Sequence, residues 1–302
     1  MRQMQTSTLK ELKIMKGMQT NLVLVGSGYL GESILAHLEN CETIYDVYEV
    51  SRTLKKRDGT IKHLQVDIDR SVINLPVGKN YKVIYMAPPS TTSLDDDRMS
   101  NFLNHNSKHN ITQIVYISTS GVYGNHDGNS VDELVVPNPI TDRAIRRLSA
   151  EKQLVKFCNK KSISSIILRV PGIYGKGRLP LERIRNREKL ISLEESRVTN
   201  LIHVNDLARV TLKALEIESN EIINVSDGSP IKTTQYYLHI YDALKQPWPD
   251  FITFDEALKK YSSKRLSFLN ESRLLNVDKM NMLMPGCIKF QDIREGIRDS
   301  LF

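Results

Sequence analysis

No apolar run in this sequence approaches the roughly 18–20 residues that a membrane-spanning helix needs, so no membrane role is expected. Cysteine is scarce, and Cys41, Cys158 and Cys287 stand far apart. An odd, scattered set offers neither a disulfide framework nor a C-x-x-C metal knuckle, and it suits a reducing compartment such as the cytoplasm. A single block of positive charge is also missing. The formal net charge is +7, but Lys55-Lys56-Arg57, Arg146-Arg147, Lys160-Lys161 and Lys264-Arg265 are spread among acidic runs such as Asp95-Asp96-Asp97. Nucleic-acid binders more often gather such charge on one face with aromatic platforms. Nucleic acid is therefore not an expected partner. The excess reads as a mildly basic surface, or as a preference for anionic small molecules such as phosphates. Repeats and low-complexity linkers are absent, as is the apolar core of a secretory signal near the N-terminus. Residues 1–18, basic with one acid, read as a disordered extension; the same composition also suits an organellar transit peptide.

What is present is an ordinary globular composition. Hydrophobic residues make up 40% and charged residues 25%, close to the soluble average, which leaves enough core-forming residues for a large domain with a smaller appendage. Short apolar, β-rich runs recur at 21–25, 44–50, 61–66, 82–86, 114–117, 163–168 and 222–225, with helical patterns at 31–38, 101–108 and 144–158. Near-continuous apolar strands alternating with helices point to a parallel sheet covered on both faces. After Gly172 the alternation breaks down.

Val25-Gly26-Ser27-Gly28-Tyr29-Leu30-Gly31 fits G-x-G-x-x-G directly after a strand and opening a helix. The first glycine permits the tight turn, the second lets a pyrophosphate approach the backbone, and the third packs helix on strand. The free N–H groups of the helix start then face the phosphate charge. The expected architecture is therefore α/β: a doubly wound parallel sheet (Rossmann) over 19–175, with 205–228 returning to the sheet. A smaller C-terminal substrate domain is expected over 176–204 and 229–302. The end of the second strand separates NAD from NADP, since an acid there binds ribose hydroxyls and a base accepts a 2′-phosphate. Ser51 and Arg52, followed by Lys55 and Lys56, favour NADP. The competing reading takes Glu49 as the ribose acid, with NAD as the cofactor.

Four further segments carry a likeness. They are Ile117-Ser118-Thr119-Ser120-Gly121-Val122-Tyr123-Gly124, Leu168-Arg169-Val170-Pro171-Gly172-Ile173-Tyr174-Gly175, Ile202-His203-Val204-Asn205-Asp206-Leu207-Ala208 and Asn224-Val225-Ser226-Asp227-Gly228. Together with the glycine loop they make the chain resemble the extended short-chain dehydrogenase/reductases, the NAD-dependent epimerase/dehydratase family that acts on nucleotide sugars. The resemblance implies that Gly26, Gly28, Tyr29, Leu30 and Gly31 hold the cofactor with Ser51 and Arg52. It further implies that Asp67 approaches the adenine, that Ala87-Pro88-Pro89 lines the cofactor, and that Pro171 and Gly172 meet its nicotinamide end. Thr119 falls where the family has a catalytic Ser or Thr.

The family's acid/base pair is a Tyr with a Lys one helical turn later. Here Ala150-Glu151 sets a register in which Arg143 takes the Tyr position and Arg147 the Lys position. A guanidinium stays protonated near neutral pH and is a poor proton carrier, so the chain resembles an atypical subgroup. Tyr123 is the alternative proton donor, though such a residue more often packs, and His126 and Asp127 follow it in a polar loop. His105 and His109 have i,i+4 spacing but no third ligand, so no metal is expected. Two functions fit: an NAD(P)-dependent oxidoreductase or epimerase, or a non-catalytic NADP(H) sensor. The partner is a small-molecule substrate, a nucleotide sugar by resemblance, whose pyrophosphate Arg178, Arg183, Lys264 and Arg265 are candidates to meet. A homodimer is compatible with this picture.

Overall fold

A computed structural model of the chain describes residues 19–38, 44–57, 61–262, 266 and 271–302. The extension 1–18, Cys41, Lys264 and Arg265 lie outside the described residues. Seven strands form one parallel sheet: β1 (Gln19–Val25), β2 (Ile44–Ser51), β3 (Ile61–Gln65), β4 (Asn80–Tyr85), β5 (Asn110–Thr119), β6 (Ser164–Val170) and β7 (Glu221–Asn224). Their order is β7-β6-β5-β4-β1-β2-β3. Val25 sits opposite Val50 of β2 and Tyr85 of β4, and Ser51 opposite Gln65 of β3. Helices cover both faces, so the strands read as unbroken apolar runs; Leu22 to Val25 are all at most 1% exposed. The order reverses between β1 and β4, and in such sheets ligands bind beyond the carboxyl ends of the strands at that reversal.

The chain divides into two compact units. Among the described residues, the first draws on those up to 117 and on 149–168 and 211–221, the second on 118–148, 169–210 and those from 222 onward. Within the second unit, short strands pair across large sequence separations. Ser130–Val131 runs parallel to Leu274–Leu275, and Gly172–Tyr174 parallel to Leu201–His203. Chain order alone hides such pairings. The core of the second unit gathers Tyr174, Ile184, Ile240, Tyr241 and Ile297.

One helix is displaced from its expected position. The pattern at 101–108 belongs to a helix at Asp97–His105, started by the Asp96 carboxylate, which accepts from the Arg98 and Met99 amides, and closed by Asn106. His109 thus lies beyond the helix, with its Nε2 2.8 Å from the Ile73 carbonyl oxygen, and the i,i+4 pairing with His105 does not form. No helix among the described residues is long and apolar enough to cross a membrane.

Candidate cofactor site

At the carboxyl ends of β1 to β4 the first unit encloses a cavity of about 230 Å³. Pockets for whole small molecules run from about 300 to 1,000 Å³, so this one suits the nucleoside half of a larger ligand. Gly26, Ser27 and Gly28 follow β1, Ser51 and Arg52 close β2, Val66 and Asp67 follow β3, and Ala87 and Pro88 follow β4. Gly26 holds φ +77°, and a Cβ there would stand 2.6 Å from both the Cα and N of Ala87. Only glycine makes that turn. Its amide and that of Ser27 donate to the Val50 carbonyl at 3.0 and 3.4 Å. Gly28 is different: a Cβ there would meet nothing nearer than the Gly26 carbonyl oxygen at 4.0 Å. The backbone is left bare toward the cavity. Gly31 packs so tightly that a Cβ would reach 2.2 Å from Ser27 Oγ.

Beneath the rim of this cavity lies an ion network. Glu49 on β2 is fully buried. Its Oε2 accepts from Arg57 Nε at 2.5 Å, and its Oε1 from Arg57 Nη2 at 2.5 Å and Lys55 Nζ at 3.0 Å. Arg57 also makes a two-pronged contact with Glu32 in the first turn of the helix Tyr29–Leu38, at 2.9 and 2.6 Å. Lys55 adds bonds to Glu32 at 2.7 Å and to the Ser27 carbonyl at 2.7 Å. Burial alone would raise the Glu49 carboxyl, but polar contacts, led by Arg57 and followed by Ser27 and Lys55, outweigh it and bring it down to about 2. The same contacts raise the Arg57 guanidinium above its ordinary value. Both Glu49 oxygens thus accept from cations, and the side chain has no exposed surface. Arg52 lies on the exposed rim. The neighbouring Ser51 hydroxyl donates to the Thr53 carbonyl at 2.8 Å and lies 3.0 Å from His63 Nε2. Arg98 holds Asp69 with two bonds at 2.6 and 2.7 Å and donates to the Pro88 carbonyl at 2.6 Å, fixing the far wall.

The candidates for chemistry belong to the second unit. Thr119 opens a single 3₁₀ turn at Ser120–Tyr123, and its Oγ1 accepts from the Gly121 amide at 3.2 Å. That leaves the hydroxyl proton for another acceptor. Tyr123 has no exposed surface. Its hydroxyl donates to Asn224 Oδ1 at 2.7 Å, and the Arg169 guanidinium lies 4.7 Å from its ring centroid. Burial raises its phenol further above the neutral range, against the pull of Arg169. These are the surroundings of a packing residue. Arg143 and Arg147 sit near the start of the helix Asp142–Lys161. Crowding by surrounding atoms lowers the Arg143 guanidinium against the attraction of Glu271, and repulsion from Arg147 and Arg273 adds to the lowering. Arg273 is itself held by Glu271 at 2.8 Å. Gly172 has a packing role, since a Cβ there would stand 2.9 Å from Leu201 Cδ2. Arg183 is engaged with the Tyr237 hydroxyl at 3.0 Å.

Residues 22–226 match the model of the NAD dependent epimerase/dehydratase family. The chain belongs to this family. Comparison with curated proteins finds no match. Among solved structures, a conserved protein of unknown function from Silicibacter pomeroyi is 22% identical with a TM-score of 0.77, covering 92% of this chain and 97% of its own. UDP-glucuronic acid 4-epimerase from Bacillus cereus, solved with NAD, is 16% identical with a TM-score of 0.72, covering 94% and 97%. UDP-N-acetylglucosamine 4-epimerase from Methanobrevibacter ruminantium M1, solved with UDP-N-acetylmuramic acid, is 16% identical with a TM-score of 0.70, covering 93% and 96%. At these identities the likeness speaks for the fold.

In this epimerase/dehydratase family member, eight of the residues singled out in the sequence, Gly26, Gly28, Ser51, Arg52, Lys55, Asp67, Ala87 and Pro88, meet around one cavity. Tyr29, Leu30, Gly31, Pro171 and Gly172 do not line it. Sequence reasoning missed the Arg57 and Lys55 contacts to Glu32 and Glu49 and the Arg98 anchor. In the sequence the run 55–57 reads as basic, with Lys55 and Lys56 counted toward a 2′-phosphate, and nothing local ties Lys55 or Arg57 to an acid on the preceding strand and another on the first helix.

Proposed function

We propose that this protein is an NADP(H)-using enzyme of the epimerase/dehydratase family that acts on an anionic substrate of the nucleotide-sugar class. The observation that carries the cofactor reading is the state of the second strand's end: Glu49 is consumed by Arg57 and Lys55, while Arg52 stands on the cavity rim. An NAD site asks for an acid that accepts from the ribose hydroxyls; an NADP site asks for a base. The residues present fit a dinucleotide, since the Gly28 backbone is bare toward the cavity and Gly26 tolerates no side chain. Bound there, the nicotinamide would supply hydride exchange. Of the chain's own groups, Thr119 would orient a substrate oxygen through its hydroxyl proton. Arg143 and Arg147 would steady negative charge rather than carry a proton. The substrate class rests on the ligands named for the solved relatives.

A second reading has its own support. The burial of Tyr123 and the arginine at position 143 leave the expected proton-carrying positions without a ready donor, which favours an NADP(H)-responsive regulator without turnover. Titration of the full chain with NADP and NAD, followed by nicotinamide absorbance during incubation with a panel of nucleotide sugars, separates the readings. Tighter NADP binding with a substrate-dependent absorbance change, or with epimerised product, is the expected result. Tight NADP binding with no product from any nucleotide sugar favours the regulator. Tighter NAD binding overturns the cofactor assignment.

A further inference from the structure

Glu49 is the acid nearest the end of β2, yet it ends as a buried ion held by two cations. Four side chains make this network: Glu32, Glu49, Lys55 and Arg57. Two carboxylates face one ammonium and one guanidinium, so the group is neutral as a whole. Arg57 makes four of its hydrogen bonds and reaches both oxygens of both acids. Lys55 links the network to the ligand side, since it lines the cavity and donates to the Ser27 carbonyl inside the glycine loop. We propose that Arg57, which does not itself line the cavity, is a positioning residue that sets cofactor preference by neutralising Glu49. This inference rests on the NADP reading above.

The physical case is a charge balance. Without the Arg57 guanidinium, Lys55 alone would face two carboxylates, and one negative charge would stand uncompensated beneath the rim. A 2′-phosphate, which carries close to two negative charges, is repelled by that charge; the 2′-hydroxyl of NAD is not. With Glu49 at 0% exposure, the repulsion passes through protein rather than water and is weakly screened. The carboxyl held down at about 2 keeps the acid ionised across the working pH range, so the compensation has to come from the cations rather than from a proton. Arg52 attracts the phosphate most effectively while the ground beneath it carries no net negative charge.

The preference, expressed as Kd for NAD over Kd for NADP, should follow the net charge of the four positions. Calorimetric titration of the full-length protein with both cofactors tests this. Arg57→Gln makes the network −1, and the ratio should fall about tenfold. Glu49→Gln makes it +1, and the ratio should rise. The Glu49→Gln/Arg57→Gln pair restores neutrality, and the ratio should return toward that of the wild type. Arg57→Lys keeps the charge and should keep the ratio. Raising the salt concentration should shrink these differences only partly. A role confined to holding the loop in shape would weaken NADP and NAD together and leave the ratio constant across the set; that result overturns the inference. Should Arg57→Gln fail to fold, Glu49→Gln and Arg57→Lys still decide it. A wild type that prefers NAD would sink the NADP reading by itself, while a ratio still tracking the network charge would sustain the role of Arg57.

Discussion

Gly26 and Gly28 lie two residues apart and are constrained by different things. At Gly26 the obstacle is the protein: φ is +77° and the Ala87 backbone is 2.6 Å from any Cβ. Gly26→Ala should lower thermal stability by roughly 1–2 kcal/mol for the left-handed conformation alone, with the clash added. At Gly28 no protein atom stands in the way, so Gly28→Val should melt near the wild-type temperature yet lose most NADP affinity in a fluorescence titration. Equal affinity for both proteins would remove the loop from the site. Arg52 belongs to the same scale. A charge-assisted hydrogen bond is worth about 1.5–3 kcal/mol, so Arg52→Ala should weaken NADP at least tenfold and leave NAD nearly unchanged. A parallel loss for both would show that Arg52 holds something other than the 2′-phosphate. Tyr123→Phe removes a buried bond to Asn224 and should cost about 1 kcal/mol of stability, or somewhat more from the orphaned amide oxygen. The pH profile of any turnover should not change; a shifted profile would make Tyr123 the proton donor after all.

At the scale of elements, the helix Asp97–His105 shows how a cap reaches the site. Asp96 is buried, and its Oδ1 accepts from Arg98 N at 3.1 Å, Met99 N at 3.3 Å and Ser90 N at 3.2 Å. Asp96→Ala should cost about 1–2 kcal/mol for the lost cap and more for the stranded Ser90 amide. Because Arg98 lies in that first turn and fixes the cavity wall, NADP affinity should fall along with the melting temperature. An unchanged affinity in a destabilised variant would detach the helix from the site. In the sequence Asp96 is the middle of an acidic triplet that reads as a solvated run, and the helix is expected four residues too late. The strands fare better, since unbroken apolar runs ending at glycine or at Ser51-Arg52 are local signals. The glycine loop is legible for the same reason, because its constraint lies within seven residues. The Arg57 network is not legible: its contacts to Glu32 span 25 residues and join a helix to a loop across β2. The likeness at Ile117 to Gly124 finds a motif but cannot say that Tyr123 points into a buried bond with a residue 101 positions away.

At the scale of the folded molecule, two buried groups of the second unit oppose each other in their response to pH. Burial pushes the Asp227 carboxyl up to about 7, although the Ser229 amide donates to it, and burial brings the His203 imidazole down to about 4 against the pull of Asp299. Asp227 holds its proton more tightly folded than unfolded, so between about pH 4 and 7 the folded state carries more protons and stability falls as pH rises. His203 is accommodated neutral, with Nδ1 accepting from the Asn205 amide. The unfolded chain therefore binds more protons between about pH 4 and 6.5, and stability rises with pH. Each slope reaches at most about 1.4 kcal/mol per pH unit. Their windows overlap, and both groups lie in one compact unit, so the wild type should show a nearly flat melting temperature from pH 4.5 to 6.5. The lowered His239 leans the same way as His203. Glu49 loses its contribution only as the pH falls from 4.5 toward 2, below this window. Asp227→Asn keeps an acceptor for the Ser229 amide and removes the falling slope alone. Denaturant titrations of that variant should show stability climbing by about 2–3 kcal/mol across the same range. A variant profile as flat as the wild type's would show that neither group is perturbed as its surroundings require.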